Sequence, residues 1–431
     1  MVRALAYRNY RLFLLGQVVS LVGTWITTTA TNWLVYRLTG SAFLLGVVGF
    51  AGQFPAFVMG PFAGIFVDRW DRHRLLVVTQ TISMLQSFAL AGLVLSGRIT
   101  LEWIVALSVV QGVVNAFDMP ARQAFLLTMI ENKADLGNAI ALNSSMVNLA
   151  RLVGPSIAGV VIATTSEGWC FFIDGVSYVA VIVALLRMKI ARGAAAPMAR
   201  RSALQQFREG FTYVFGFRPI RSIILLLAIV SLVGVPYSVL MPVFATTVFH
   251  GGPHTLGILM TSSGCGALLG ALWLAGRRSV IGLGRIIAVA SGLFGVGLIA
   301  FSFSHVLWLA IPCLVVAGFG FMVQMASSNT VIQTIVDDEK RGRVMSFYMM
   351  AFLGTAPFGS LIAGWLSSRI GAAQTLLVGG LCCILGALWF ASSLPAIRSA
   401  VRPIYVRLGI LPEMASGLAS AAELSVPPEQ G

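Results

Sequence analysis

Twelve apolar runs of roughly 20 residues, the length that spans a bilayer as an α-helix, follow one another along the chain. Short polar or charged segments separate them, and lipid offers the backbone of a spanning segment no hydrogen-bond partner outside a helix. The pattern predicts an all-α integral membrane protein with twelve transmembrane helices. The predicted helices are Phe13–Val35, Phe43–Val67, Leu75–Ser96, Leu101–Phe117, Ala139–Thr164, Trp169–Leu186, Ile223–Phe249, Leu256–Ala275, Ile286–Ser304, Val306–Ser328, Val344–Ser367 and Thr375–Ser393.

The basic residues fix the orientation. With the amino terminus in the cytoplasm, 25 of the 29 Lys and Arg residues fall on the cytoplasmic side, Arg37, Arg98 and Arg369 fall outside, and Arg151 stays within a run. This bias follows the positive-inside rule. It predicts a multi-pass protein of the cell (inner) membrane with both termini cytoplasmic. It also explains the net charge of +14 without a nucleic-acid partner.

Composition agrees with a membrane protein. The chain is 58% hydrophobic and 10% charged, whereas soluble domains carry about 25% charged residues. The five Cys lie in or beside apolar runs and the four His in predicted loops, without metal-ligand spacing. We therefore expect no metal and no cofactor.

The sequence repeats itself at a constant offset. Ser20–Gly23 recurs as Ser231–Gly234, and Gly46 corresponds to Gly257, in both cases 211 residues later. Two parallel six-helix halves produce such a repeat. The predicted organisation is an N-terminal half at 1–188, a cytoplasmic linker at 189–220, a pseudo-symmetric C-terminal half at 221–394 and a cytoplasmic tail at 395–431.

A charged loop separates the second and third runs. Its pattern resembles the signature loop between helices 2 and 3 of the major facilitator superfamily, carried by Gly64, Asp68, Arg69 and Arg72. The resemblance implies the major facilitator fold and a conformational-switch role for these residues, in which Asp68 stabilises the outward-open state. The alternative is a topology anchor, since short charged hairpins also occur in unrelated membrane proteins.

Further stretches narrow the resemblance to the enterobactin-exporter and macrolide-efflux branch of drug:proton antiporters. They are Tyr10–Phe13, Gly16–Ser20, Trp33–Ser41, Pro120–Ala124, Asn138–Asn143 and Arg151–Pro155. The chain departs from the branch in two respects. Helix 4 lacks the usual Arg before Gln111-Gly112, and helix 1 lacks a carboxylate. Proton coupling is therefore implied by the resemblance alone.

Polar side chains form stripes along three predicted helices. They are Thr24, Thr27, Thr31 and Asn32 in helix 1, Gln111, Asn115 and Asp118 in helix 4, and Gln324 in helix 10. Such stripes face either a packed helix or an aqueous cavity. The family places these helices around its central cavity, which favours substrate contacts for the amides. Trp25 could offer the substrate an aromatic surface or serve only in packing.

Three charged residues in or next to the predicted spans are candidates for a functional role. Asp118 and Asp174 are candidates for proton coupling, although each could equally be a helix cap or helix-end anchor. Arg151 lies mid-span, where a charge normally faces protein or water. Its charge either binds an anionic substrate or responds to a nearby proton, or the residue is bonded structurally where the halves meet. The expected partners are the amides of Gln111 and Asn115, groups of helix 11 or carbonyls near Pro155.

A glycine-proline step in helix 5 has a counterpart in helix 11. Gly154, Pro155 and Gly159 permit close helix approach and a bend, and Pro357 belongs to the matching surface. In the resembling antiporters this motif lies where the two halves rock against each other.

Together these features predict a secondary active transporter, not an enzyme. It would export a small amphipathic, siderophore- or drug-like molecule, by proton antiport with alternating access. The expected partners are the substrate, protons and the lipid bilayer, and we expect a monomer. An importer or facilitated carrier of a metabolite is the alternative within this class. A non-transporting scaffold or receptor is the alternative from another class, although it would not require the polar stripes.

Overall fold

A computed structural model describes residues 3–130, 132, 135–188, 203–277 and 279–410. Within helices, the side chains of residues 61, 62, 64, 65, 68, 69, 127, 141, 203–207, 338 and 339 lie outside this description. The helices of the described residues are α1 Arg8–Thr39, α2 Ala42–Arg69, α3 Arg72–Leu95, α4 Leu101–Met129, α5 Leu136–Thr164, α6 Glu167–Leu186, α7 Ala203–Gly216, α8 Arg218–Ile229, α9 Tyr237–Val243, α10 Pro253–Ala275, α11 Leu283–Ser302, α12 Leu307–Ile335, α13 Asp338–Met349, α14 Ala356–Ile370 and α15 Ala372–Arg407.

Twelve of these helical stretches are long and apolar enough to cross a membrane, and each coincides with a predicted run. The prediction of twelve membrane-spanning helices is therefore confirmed. Two spans are composite. The seventh joins α8 and α9 through the π-helical segment Val230–Gly234 and ends in a second π-helical segment, Phe244–Val248. The eleventh joins α13 and α14 through the π-helical segment Met350–Gly354.

Two spans run well past their predicted ends. Helix α4 continues through Pro120 to Met129, because Ala121 and Phe125 of this last part are buried one turn apart. Helix α15 continues through Pro395 and Pro403 to Arg407, and its Ile397 and Val401 are buried in the same way. Burial of an apolar face thus extends both helices beyond their most hydrophobic residues.

The helices pack as two halves. In the N-terminal half, α1 packs on α5 and α6, α2 on α4, and α3 on α4 and α6. In the C-terminal half, α12 packs on α10 and α11, and α15 packs on α8 and α11. The main contacts between the halves are α5 with α10 and α2 with α14. We call these two contacts together the seam.

The spans alternate in direction, so the loops fall on two faces. We call the face with Gly40–Ser41 and residues 249–252 the first-loop face. We call the opposite face, with the amino-terminal residues, α7 and Leu408, the terminal face. At the seam, glycines allow the backbones to approach near the first-loop face. A Cβ at Gly46 would lie 2.5 Å from the Ser360 carbonyl oxygen, and one at Gly257 would lie 3.0 Å from the Pro155 carbonyl oxygen.

Candidate functional site

A buried carboxylate lies where α1, α3 and α6 meet. The residue is Asp174, which is 2% exposed, and its Oδ2 accepts hydrogen bonds from Thr27 Oγ1 at 2.9 Å and Ser87 Oγ at 2.8 Å. No Lys, Arg or His of the described residues forms an ion pair with it. The alternative of a helix cap does not apply, because the N-cap of α6 is Ser166 and Asp174 lies about 10 Å further along the helix.

Ser87 belongs to a polar stripe on α3 that the sequence analysis missed. Its members are all buried and recur mainly at steps of three and four. They are Thr79, Gln80, Ser83, Gln86 and Ser87. The stripe meets α4 and α6 and provides hydrogen-bond partners for both of their carboxylates. Its periodicity was readable in the sequence, but Ser and Thr occur in membrane helices so often as packing residues that the pattern alone carries little information.

The second carboxylate has a different environment. Asp118 of α4 is 4% exposed and accepts hydrogen bonds from Thr79 Oγ1 at 2.9 Å and Gln80 Nε2 at 2.7 Å. Arg122, one turn further along the helix, forms a close ion pair with it. Asp118 is thus held by three donors, one of them a cation.

The polar stripes of α1 and α4 contribute to the same interior. Gln111 Nε2 donates to Ser83 Oγ at 3.2 Å and to Asn115 Oδ1 at 3.1 Å. Thr27 donates to Asp174, whereas Thr24 bonds to the backbone carbonyl of its own helix at Ser20. The remaining two members of the α1 stripe are half-buried: Thr31 and Asn32.

Gln324 differs from the expectation of a residue facing a cavity. In this conformation it is fully buried where α12 packs against α10 and α11. Its Nε2 donates weakly to Ser328 Oγ at 3.5 Å, and its Oε1 has no hydrogen-bond partner among the described residues. Glycines on α12, such as Gly318 and Gly320, bring the neighbouring backbones so close that no open space remains at this helix face.

Arg151 has aromatic neighbours in place of the expected amides and carbonyls. Its guanidinium carbon lies 5.6 Å from the ring centroid of Trp25 on α1 and 5.5 Å from that of Phe321 on α12. The amide of Gln111 is directed at α3 and Asn115, which explains why it does not reach Arg151. A cation–π contact contributes about 0.5–2 kcal/mol, whereas a charge at mid-membrane costs about 3 kcal/mol or more. The two rings together offset this cost by about 1–4 kcal/mol, but they provide no negative countercharge.

The glycine-proline residues lie at or beside the seam. Gly159 packs against Pro253 and Gly257 of α10, and Pro155 contacts Gly257 through its carbonyl oxygen. Gly154 instead packs within its own half, against Trp25. Pro357 is buried in the first turn of α14, the partner of α2. The rocking motion inferred from these residues stays a prediction.

Four residues carry the motif of the charged loop between α2 and α3. Gly64, Asp68 and Arg69 belong to the last turns of α2, but their side chains lie outside the described residues. Arg72 begins α3, whose N-cap is Asp71, with Oδ1 accepting from the backbone N–H groups of His73 and Arg74. Asp71 of this loop is thus a helix cap.

Among the described residues, no group of three or more His, Cys, Asp or Glu could hold a metal ion. What the interior does offer is one carboxylate among hydroxyls, one ion pair and one cation between aromatic rings. Such groups can bind and release protons and polar parts of ligands.

Known proteins resemble the chain over most of its length. The Staphyloferrin A transporter of Staphylococcus aureus (strain NCTC 8325 / PS 47) is 27% identical over 372 residues, covering 84% of this chain and 90% of the relative. The multidrug efflux pump Tap of Mycolicibacterium fortuitum is 28% identical over 379 residues, covering 85% and 91%. Macrolide efflux protein A of Streptococcus pyogenes is 22% identical over 387 residues, covering 87% and 94%.

Solved structures share the fold. A bacterial homologue of the human lysosomal transporter Spinster, in an inward-facing and unoccupied conformation, superposes with a TM-score of 0.68 at 14% identity over 94% of this chain and 98% of that one. A mutant of the nucleoside transporter NupG gives a TM-score of 0.69 at 14% identity over 90% and 99%. These similarities confirm the major facilitator fold with two six-helix halves.

The family follows from the whole sequence. The model of the family described as transmembrane secretion effector matches residues 3–405. That match, the transporter relatives and the twelve spans confirm the resemblance drawn from the charged loop and the further sequence stretches, and they make the protein a transporter and not an enzyme. The chain is a member of the transmembrane secretion effector family within the major facilitator superfamily.

Proposed function

We propose that this transporter exports a small amphipathic molecule from the cytoplasm across the cell inner membrane, by proton antiport with alternating access. The observation that carries the coupling is Asp174, a buried carboxylate with no basic partner among the described residues, inside a transporter fold. The export direction rests on relatives that are named as efflux pumps.

The partners of Asp174 suit a group that changes protonation state. A hydroxyl can donate to a carboxylate and can accept from a carboxylic acid. Thr27 and Ser87 can therefore satisfy Asp174 in both states. Asp118 is different, because the guanidinium of Arg122 and the Gln80 amide N–H group can only donate. Both carboxylates stay candidates, and their surroundings favour Asp174 as the proton carrier.

The seam supports alternating access. Helices α2 and α5 are in tight contact with the other half near the first-loop face, at Gly46 and Gly159. Towards the terminal face, no heavy atom of the described residues lies within 4 Å of the Cβ positions of Gly60 and Gly137 on the same helices. With the termini in the cytoplasm, as the distribution of basic residues indicates, the tight contact closes the seam on the outer side. Rocking about the seam would then expose the interior to the outside.

Transport into inverted membrane vesicles tests the proposal. Vesicles with an acidic interior are supplied with a siderophore, a macrolide or a cationic dye, and uptake is measured with and without a protonophore. We expect gradient-driven uptake by the wild type. Asp174→Asn should abolish the effect of the gradient while retaining exchange of substrate down its own gradient.

A matched control is Asp135→Asn. Asp135 precedes α5 at the terminal face and accepts a hydrogen bond from the Tyr7 hydroxyl, so its loss should leave the gradient dependence unchanged. Gradient-driven accumulation by Asp174→Asn at the wild-type level would refute the coupling role. Accumulation of substrate by right-side-out vesicles alone would favour the importer.

A further inference from the structure

Arg151 is the least compensated charge of the described membrane interior. It lies near the middle of α5 and is half-buried. None of the described carboxylates forms an ion pair with it. Asp118 is paired with Arg122 and Glu167 with Arg37, and Asp174 is hydrogen-bonded to hydroxyls. Its surroundings offer two aromatic faces, which attract the cation without neutralising it.

The position of this cation is between the halves. Trp25 belongs to the N-terminal half and Phe321 to the C-terminal half, so the guanidinium is flanked by one ring from each. The backbone carbonyl oxygen of Arg151 also packs against Gly264 of α10. Arg151 therefore lies at the end of the close α5–α10 contact, on the side that leads towards the terminal face.

The terminal face adds to the effect of this charge. Most Lys and Arg residues of the chain lie in its segments, and a surface with an excess of one sign of charge raises the local concentration of oppositely charged solutes. An anion would therefore be attracted first to the face and then to the cation at this end of the α5–α10 contact.

We infer that the site selects anionic amphipathic substrates, whose carboxylate, sulfonate or phosphonate group is bound by Arg151 and whose apolar body lies against Trp25 and Phe321. The inference rests on the proposed export function and specifies its substrate class. A guanidinium suits this task because its planar array of N–H donors matches two oxygens of such a group. Binding of the anion would supply a countercharge to Arg151. The bound molecule would also contact Trp25 of the N-terminal half and Phe321 of the C-terminal half.

Three fluorescent probes of similar size test the charge preference. 8-Anilinonaphthalene-1-sulfonate is a permanent anion, N-phenyl-1-naphthylamine has nearly the same aromatic skeleton without the charge, and ethidium is a cation. Their energised uptake is measured in inverted vesicles with wild type, Arg151→Lys and Arg151→Gln at equal protein amounts. An Asp135→Asn sample serves as the control for a substitution remote from the site.

We expect the wild type to transport the sulfonate in preference to ethidium. Arg151→Gln should lower sulfonate uptake at least tenfold while leaving uptake of the neutral probe within about twofold, and Arg151→Lys should retain much of the sulfonate uptake. A proportionate loss of both probes in Arg151→Gln would mean a structural role only. Unchanged sulfonate uptake by Arg151→Gln, or a wild-type preference for ethidium, would also overturn the inference. Absence of energised uptake for every probe and every compound of the panel used for the proposed function would instead contradict export itself.

Discussion

Two buried aspartates of the same half differ in what their neighbours can donate and accept. Asp174 is surrounded by hydroxyls, whereas Asp118 is fixed by Arg122, a cation with no acceptor. The same residue type therefore suits proton exchange at one position and a fixed ion pair at the other. The distinction depends in part on side chains from α3, which is one helix away from Asp118 along the chain and three helices away from Asp174.

Asp118→Asn should lower stability more than it lowers coupling. The substitution leaves Arg122 without its carboxylate, and loss of one partner of a buried pair costs 3–5 kcal/mol. Since the Arg122 side chain is 24% exposed, we expect a smaller cost of about 2 kcal/mol, seen as a lower thermal unfolding midpoint in detergent. The double variant Asp118→Asn/Arg122→Gln should recover part of the loss. A midpoint equal to that of the wild type would contradict the structural role of the pair.

Gln111→Ala and Asn115→Ala are expected to change apparent substrate affinity or range with little change in expression. Both side chains lie one turn apart on α4 and are half-buried, and they are hydrogen-bonded to each other. Ser108→Ala, one turn before Gln111 on the same helix, is the comparison for loss of a small polar group. KM and kcat for a transported probe are the measurements. Unchanged kinetics in both amide variants would assign the stripe to packing.

A single functional residue could be predicted from the sequence only where its residue type is rare in a membrane. Asp174, Asp118 and Arg151 are conspicuous because charges are scarce in the apolar runs. Their partners were not predictable, because contacts between helices distant in sequence depend on how the helices are rotated and packed. Arg151 shows this, since its aromatic neighbours come from α1 and α12.

At the scale of elements, the loop between α2 and α3 contains two aspartates with different expected roles. Asp71 caps α3, and Asn caps a helix as well as Asp does. We expect Asp71→Asn to leave folding and transport near the wild-type level. Asp68→Asn, three residues earlier, should strongly reduce transport with normal membrane insertion, because the motif implies a role in the conformational equilibrium. Transport rates of the two variants at equal expression distinguish a switch from a topology anchor, and equal rates would indicate an anchor.

The sequence predicted where the spans lie but not where two of them break. Apolar length is sufficient to locate a membrane helix, and all twelve were found. The π-helical segments of the seventh and eleventh spans were missed, because an extra residue within a turn leaves hydropathy unchanged. The two broken regions meet in space, where Ser231 Oγ donates to the Phe352 carbonyl oxygen at 2.5 Å. The interruption is thus tied to a tertiary contact that periodicity does not encode.

At the scale of the whole molecule, transport depends on how closely the halves can approach at the seam. Gly46→Ala would place a methyl group 2.5 Å from the Ser360 carbonyl oxygen, which forces backbone to move. We expect transport to fall several-fold and the first-loop side of the seam to open. Gly92→Ala in α3 is the matched control, because no heavy atom lies within 4 Å of its Cβ position.

Opening can be measured with a cysteine in place of Ser156, whose hydroxyl lies 2.6 Å from that of Thr261 across the seam. In a background without the native cysteines, an impermeant maleimide applied at the first-loop face should label this cysteine faster in Gly46→Ala than in the Gly92→Ala control. Equal labelling and equal transport in the two variants would show that the seam tolerates the methyl group and that its tightness is unimportant.

The described charged residues that lie away from the ends of the spans, Asp118, Arg122, Arg151 and Asp174, all belong to the N-terminal half, while the described charged residues of the C-terminal half lie at the ends of its spans. After a gene duplication that produced two equal copies, the two halves would thus have acquired different roles. Mutations in the C-terminal half could then alter the range of exported compounds without affecting coupling to the proton gradient. A chimaera that joins this N-terminal half to the C-terminal half of a relative should keep its dependence on the proton gradient while acquiring part of the substrate spectrum of the donor.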